Sequence, residues 1–153
     1  MNRSRTGFTL IEVLIVVVIM AVLAATIIPQ FASSADDAKR SSLDFNLHTI
    51  QSQIEMYKIN HAGSPPSLDK FSEQMTSKTS SSGALTGTGL DYGPYLQGKI
   101  PANPFNGDNT VVKVATEGTA PTAVNGEGGW QYDESTGDFY PNNAEYYAAE
   151  EEE

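Results

Sequence analysis

Glu12 is the single charged residue in a run of 21 residues from Phe8 to Ile28, FTLIEVLIVVVIMAVLAATII, and Gly7 stands immediately before that run. A charged carboxylate inside a membrane span costs roughly 2.5–3.5 kcal/mol on insertion scales, so a bare anchor has no reason to hold one without a partner. Cutting the chain between Gly7 and Phe8 would supply that partner. It frees an amino group about one helical turn from Glu12, and an ammonium beside a carboxylate at low dielectric neutralises both charges. Glu12 is therefore a candidate pairing group.

A second set of oxygen-bearing residues lies far along the chain. Asp133, Glu134 and Asp138 surround a turn, with Asp108 and Glu127 in nearby loops. Oxygen-rich loops suit Ca²⁺. The spacing matches no EF-hand, so a Ca²⁺ site made of Asp108, Glu127, Asp133 and Asp138 stands beside the plainer reading of turn acids. His48 and His61 do not share a helical turn, which argues against a metal pair and for polar residues facing solvent. No Ser, His and Asp arrangement stands out, and Gly83–Gly89 lacks the lysine of a phosphate loop. With no cysteine in the chain there is no disulfide, thiolate site or cysteine nucleophile. Nothing here points to an enzyme. The net charge is −10 and unevenly placed. Arg3 and Arg5 precede the apolar run, while from Pro101 onward Lys113 faces eleven Asp and Glu. An acidic half repels phosphate backbones, which makes nucleic acid a poor partner.

The elements that must position these residues begin with the apolar run. At ~1.5 Å per residue, 21 helical residues span about 30 Å, the thickness of a hydrocarbon core. The preceding arginines place the N-terminus on the cytoplasmic side. A cleaved secretory signal is a rival reading, because Ala21 to Ala25 imitates a small-residue cleavage site. Beyond Pro29 the pattern becomes amphipathic. Leu43, Leu47, Ile50, Ile54 and Tyr57 recur at spacings of 4, 3, 4 and 3, one stripe on a helix. Gly63, Pro65 and Pro66 stop it. The spacing predicts one helix over Phe8 to Ala62, about 80 Å long if straight, with a kink or weak point where Pro29 removes the hydrogen bond to Ala25.

A short helix is expected over Ser67 to Met75, capped by Ser67 and facing inward through Leu68, Phe71 and Met75. Residues 78–89 and 117–129 read as loops. Tyr92 to Leu96 and Ile100 to Phe105 are broken by proline and read as extended packing segments. TVVKVAT, Thr110 to Thr116, is an expected strand. GWQYDESTGDFY, Gly129 to Tyr140, is an expected antiparallel hairpin about the turn Glu134 to Gly137. The acidic stretch from Asn142 to Glu153 has the composition of a disordered tail. The fold class that follows is α+β, a long N-terminal helix packed on a small antiparallel sheet. Its expected divisions are a leader (1–7), a transmembrane helix (8–29), a soluble domain (30–141) and the tail (142–153).

GFTLIEVLIVVVIMAVLAATIIPQF resembles the N-terminal signature of type IV pilins and type II secretion pseudopilins. In that superfamily a prepilin peptidase cuts after the glycine and methylates the new N-terminal phenylalanine. The resemblance makes Gly7 the cleavage residue, Phe8 the methylated one, Glu12 the acid used in subunit docking and Pro29 the helix-bending proline. The order of the remaining segments, together with the lack of cysteine, is most similar to the major pseudopilin of type II secretion. The resemblance implies a pilin-like fold and a non-enzymatic filament subunit. It implies a single inner-membrane pass with the C-terminal domain in the periplasm. Its implied partners are copies of itself, the peptidase, minor pseudopilins, the inner-membrane secretion platform and membrane lipid. A surface pilin for adhesion, motility or DNA uptake is the alternative, and a membrane-anchored periplasmic binding domain is the second.

Overall fold

The computed structural model describes residues 7–150, apart from the side chains of residues 28–33 and 149–150. Of the expected leader, residues 1–6 lie outside the described residues, as do 151–153 of the tail. The chain divides into two units, Met1–Ala38 and Lys39–Glu153.

In the first unit the chain enters α1, Leu10–Asn60, whose helical span includes Pro29. Residues Leu10–Ile27 are long and apolar enough to cross a membrane. Their large apolar side chains are exposed on every side of the helix. Near the end of this stretch the Thr26 hydroxyl donates to the Val22 carbonyl at 3.2 Å, a bond within the turn.

The second unit has its own core. The expected stripe is its spine: Leu43, Leu47, Ile50, Ile54 and Tyr57 are all buried. The helix stops where Ala62 and Gly63 take positive φ, and the Gly63 N–H reaches back to the Lys58 carbonyl at 2.8 Å, closing the last turn. A 3₁₀ turn, Leu68–Lys70, leads into α2, Phe71–Thr76. Ser67 precedes this turn but makes no capping bond with its side chain. Instead its N–H donates to Gln74 Oε1 at 2.8 Å, so a residue one helix further on closes the start of the element. Phe71 and Met75 face inward as expected, and Leu68 is half-buried.

The sheet contains β1 (Val111–Lys113), β2 (Trp130–Asp133) and β3 (Asp138–Pro141), in the order β1-β2-β3. The hairpin β2–β3 is antiparallel, and Gly137 closes its turn with a φ of 84°. The sheet as a whole is mixed rather than antiparallel, because β1 pairs with β2 in parallel. Parallel neighbours need a crossover of about a dozen residues or more, and the glycine-rich stretch between β1 and β2 supplies it.

All four residues of β2 are buried, polar ones included. Trp130 and Tyr132 join Phe71 and Phe139 in an aromatic core, with ring centroids 4.6 Å apart for Phe71–Tyr132 and 5.3 Å for Trp130–Phe139. Gln131 and Asp133 point the other way, to a face that period-2 alternation would leave in water. That face is covered. Gln131 Nε2 donates to the Ala123 carbonyl at 2.9 Å and to the Tyr147 hydroxyl at 2.9 Å. Tyr147 lies in α3, Ala144–Glu150, so this part of the expected disordered tail is ordered. Its composition is polar, but its tyrosine buries against the sheet and donates to the Pro141 carbonyl at 2.8 Å.

Five asparagines tie the loops to the sheet. Asn103 is fully buried; its Nδ2 donates to the Gly129 carbonyl and to Asn143 Oδ1, both at 2.9 Å, and its Oδ1 accepts from the Phe105 N–H at 3.0 Å. Asn106 Nδ2 donates to the carbonyls of Gly128 and Asn142. Asn125 and Asn142 bond to one another. Gly129 sits at the crossing of these strands of chain, where any Cβ would overlap the Asp108 carbonyl. Opposite the buried stripe, Phe45 and Ile59 are 72% and 73% exposed.

Candidate functional site

The site begins at the start of α1. Thr9 is the residue before the helix, and Glu12 is its third residue. Glu12 Oε2 accepts the Thr9 N–H at 2.7 Å and the Thr9 hydroxyl at 2.6 Å. The Glu12 N–H returns to Thr9 Oγ1 at 3.4 Å, a long bond. This is a capping box, in which two backbone donors that the first helical turn leaves unpaired are satisfied by side chains. Glu12 therefore has a partner within its own chain. Thr9 was not singled out from sequence, although T-x-x-E ahead of an apolar run is the signature of this motif.

Gly7 and Phe8 precede the helix in exposed chain without secondary structure, and no neighbouring atom approaches within 4 Å of a Cβ built on Gly7. A peptide bond without secondary structure or cover is the form in which a protease can take it. Phe8 is 86% exposed. With Leu10, Val13, Leu14, Val17 and Val18 it lines an open apolar groove of about 710 Å³. Pro29 falls within α1, and its side chain lies outside the described ones.

The four acids read as a Ca²⁺ site do not converge. Asp133 and Asp138 face one another across the hairpin. Asp108 and Glu127 line a different cavity, of about 460 Å³, beside Asn142 and Glu145. Among the described residues no three His, Cys, Asp or Glu side chains form a group able to hold a metal. Asp133 is buried and already spent on protein donors: the Ser135 hydroxyl at 2.6 Å, the Ser135 N–H at 2.9 Å and the Gly118 N–H. Burial by itself would raise its pKa, but these bonds from Ser135 and Gly118 outweigh it and hold the carboxyl below the ordinary aspartate value. The N–H and hydroxyl of Thr110 do the same for Asp108. As a cage for an ion that takes six to eight oxygens, these residues do not fit.

His48 is exposed, as expected, but His61 is not. Its Nδ1–H donates to the Tyr57 carbonyl at 2.7 Å and its Nε2 meets Thr79 Oγ1 at 3.0 Å. The imidazole stacks on the Tyr57 ring at 3.7 Å. His61 follows Tyr57 by four residues and so continues the buried stripe, which is the signal that places it inside.

Comparison with known proteins follows the same lines. The family described as "Prokaryotic N-terminal methylation motif" matches residues 2–28. Three curated relatives each carry the name type II secretion system core protein G. The one from Pseudomonas aeruginosa is 31% identical over 117 residues, 76% of this chain and 80% of the relative. The one from Klebsiella michiganensis is 26% identical over 131 residues, 84% and 87%. The one from Vibrio cholerae is 26% identical over 135 residues, 88% and 89%. No solved structure matches the chain significantly.

Proposed function

The chain belongs to the family of type II secretion system core protein G, the major pseudopilin, and on that premise we propose that it is the repeating subunit of a periplasmic pseudopilus. It is made as a precursor in the inner membrane, with one pass and its C-terminal domain in the periplasm. A prepilin peptidase cuts between Gly7 and Phe8 and methylates the Phe8 amine. Removal of Arg3 and Arg5 makes the mature side chains more negative by two charges.

The observation that carries this reading is the first part of α1. Its large apolar side chains, from Leu10 to Ile27, are exposed around the whole circumference. Each is worth roughly 1.5–3 kcal/mol when removed from water. A monomer cannot bury such a surface, so the subunit rests either in lipid or among the same helices of its neighbours. Glu12 then selects the neighbour. Both Thr9 bonds fall on Oε2, which leaves Oε1 for the N-terminal ammonium of an adjoining subunit. Pro29 marks the place where the helix yields as subunits pack, since it offers no N–H to the carbonyl of Ala25. The role is structural, with force supplied by other components of the platform and with minor pseudopilins as further partners.

Intact mass tests the reading. The mature wild-type chain should lack Met1–Gly7 and carry one added methyl. Gly7→Val should leave the precursor, because a branched side chain fills the place of the residue before the cut. Normal processing of that variant would refute the assignment.

A further inference from the structure

Side-chain amides surround the crossover between β1 and β2. Asn142 Nδ2 donates to the carbonyls of Asn125 at 3.3 Å and Gly128 at 3.1 Å. Asn106 Nδ2 donates to those of Gly128 at 3.0 Å and Asn142 at 3.3 Å. Asn103 Nδ2 reaches the Gly129 carbonyl and Asn143 Oδ1, and Gln131 Nε2 reaches the Ala123 carbonyl and the Tyr147 hydroxyl. An amide NH₂ has two N–H donors, so both are engaged in each of these groups. Asn125 Nδ2 adds the Lys113 carbonyl at 2.8 Å. The main-chain carbonyls of Lys113, Ala123, Asn125, Gly128, Gly129 and Asn142 are thus gathered by N–H groups. The other end of each asparagine accepts. Oδ1 of Asn103, Asn106 and Asn142 takes the backbone N–H of Phe105, Asp108 and Asn125, at 3.0, 3.0 and 2.8 Å. These backbone donors settle which end of each amide carries the oxygen.

Drawing main-chain carbonyls together in a glycine-rich loop is something that a hard cation such as Ca²⁺ also does, with six to eight oxygens. A donor hydrogen and a cation seek the same lone pairs and repel one another. Here the hydrogens are in place. The carboxylates of the region are engaged in the same way, Asp133 by Ser135 and Gly118 and Asp108 by Thr110. Among the described residues Gln131 Oε1 is the buried side-chain acceptor without a partner, and one neutral oxygen falls far short of a cation cage. We propose that side-chain amides take the place of a divalent cation in closing this loop, so that the domain folds, and its filament assembles, independently of calcium. The folding half stands on the hydrogen bonds alone; the filament half rests on the pseudopilus reading.

The test is thermal melting of the full chain in detergent micelles, with millimolar Ca²⁺ or with excess EGTA. The two midpoints should agree, whereas a site filled at about a hundred times its dissociation constant would part them by roughly 10 °C or more. Asn142→Asp keeps the shape and the accepting oxygen but puts an acceptor where two carbonyls need a donor. It should lower the midpoint by about 5 °C or more in either solution. Should that variant fail to fold, Asn106→Asp makes the same exchange at an exposed position. Asn109→Asp adds an equal charge outside the web, where the bond to the Ile100 carbonyl is long at 3.4 Å, and should melt like wild type. Filament yield should be the same in both solutions. An absence of filament in both would remove the pseudopilus reading and the filament half with it, while the melts decide the folding half. The proposal is overturned if calcium raises the wild-type midpoint, if EGTA lowers it, or if Asn142→Asp and Asn106→Asp melt like Asn109→Asp.

Discussion

Asp133 shows how much one buried acid can bind the molecule to pH. Its folded pKa lies below the ordinary aspartate value of about 3.9. The stability it contributes is complete at neutral pH and is lost as pH falls below that value and through the folded one. Asp133→Asn should therefore unfold at a lower temperature than wild type at neutral pH, and the gap should close below about pH 4. A gap of constant size in thermal melts across that range would show that the carboxylate charge is not what matters. At this scale the sequence is uneven as a source. Gly7 and Glu12 are legible because a small residue and a charge each stand alone beside an apolar run. Thr9 was equally available, but a polar residue next to a charged one draws no notice until the helix start is fixed. His61 was legible in principle as the next member of the stripe, yet its polarity argued for solvent. The acids of the loops show the reverse error: their types suit a cation, while their positions follow from backbone turns that spacing alone does not reveal.

Among the elements, the long helix and the hairpin were readable because each has a periodic signal and a stop or turn of definite chemistry. The parallel pairing of β1 was not, because three residues carry no direction and the crossover that sets it is a loop without pattern. The order in α3 was hidden for a similar reason. Its residues are acidic and small, and what orders it is a face of β2 that binary patterning assigns to water. Tyr147 connects the two, accepting from Gln131 Nε2 at 2.9 Å and donating to the Pro141 carbonyl at 2.8 Å. Tyr147→Phe should cost about 1–2 kcal/mol, because it leaves two buried groups short of a partner. Chemical denaturation would read this as a lower midpoint at unchanged slope. A wild-type midpoint would mean that α3 rests on the sheet without holding it. Gln131 Oε1 already lacks a partner among the described residues, so this corner has no reserve of hydrogen bonds.

For the whole molecule, the proposed docking role of Glu12 sets a test that hydrophobicity alone does not. Glu12→Val removes the carboxylate and makes the segment easier to insert. It should leave cleavage at Gly7 intact while reducing the yield of sheared or cross-linked filament at equal subunit level. Wild-type yield would show that Glu12 serves only as a cap for its own helix. A filament subunit must also last, and here the asparagine web sets a limit of a different kind. Asn106 and Asn125 each precede a glycine, the sequence in which the following backbone nitrogen most easily attacks the side-chain amide and expels ammonia. Gly107 N–H is engaged with the Asn103 carbonyl at 2.8 Å and is poorly placed to attack, whereas Gly126 lies exposed in its loop. Ageing should therefore acidify Asn125 before Asn106, which peptide mapping of stored protein would resolve. Once Asn106 converts as well, an aspartate would stand where two carbonyls require a donor. The loops would then loosen from the sheet by covalent decay rather than by unfolding, and the oldest subunits of a filament would be the first to lose their grip.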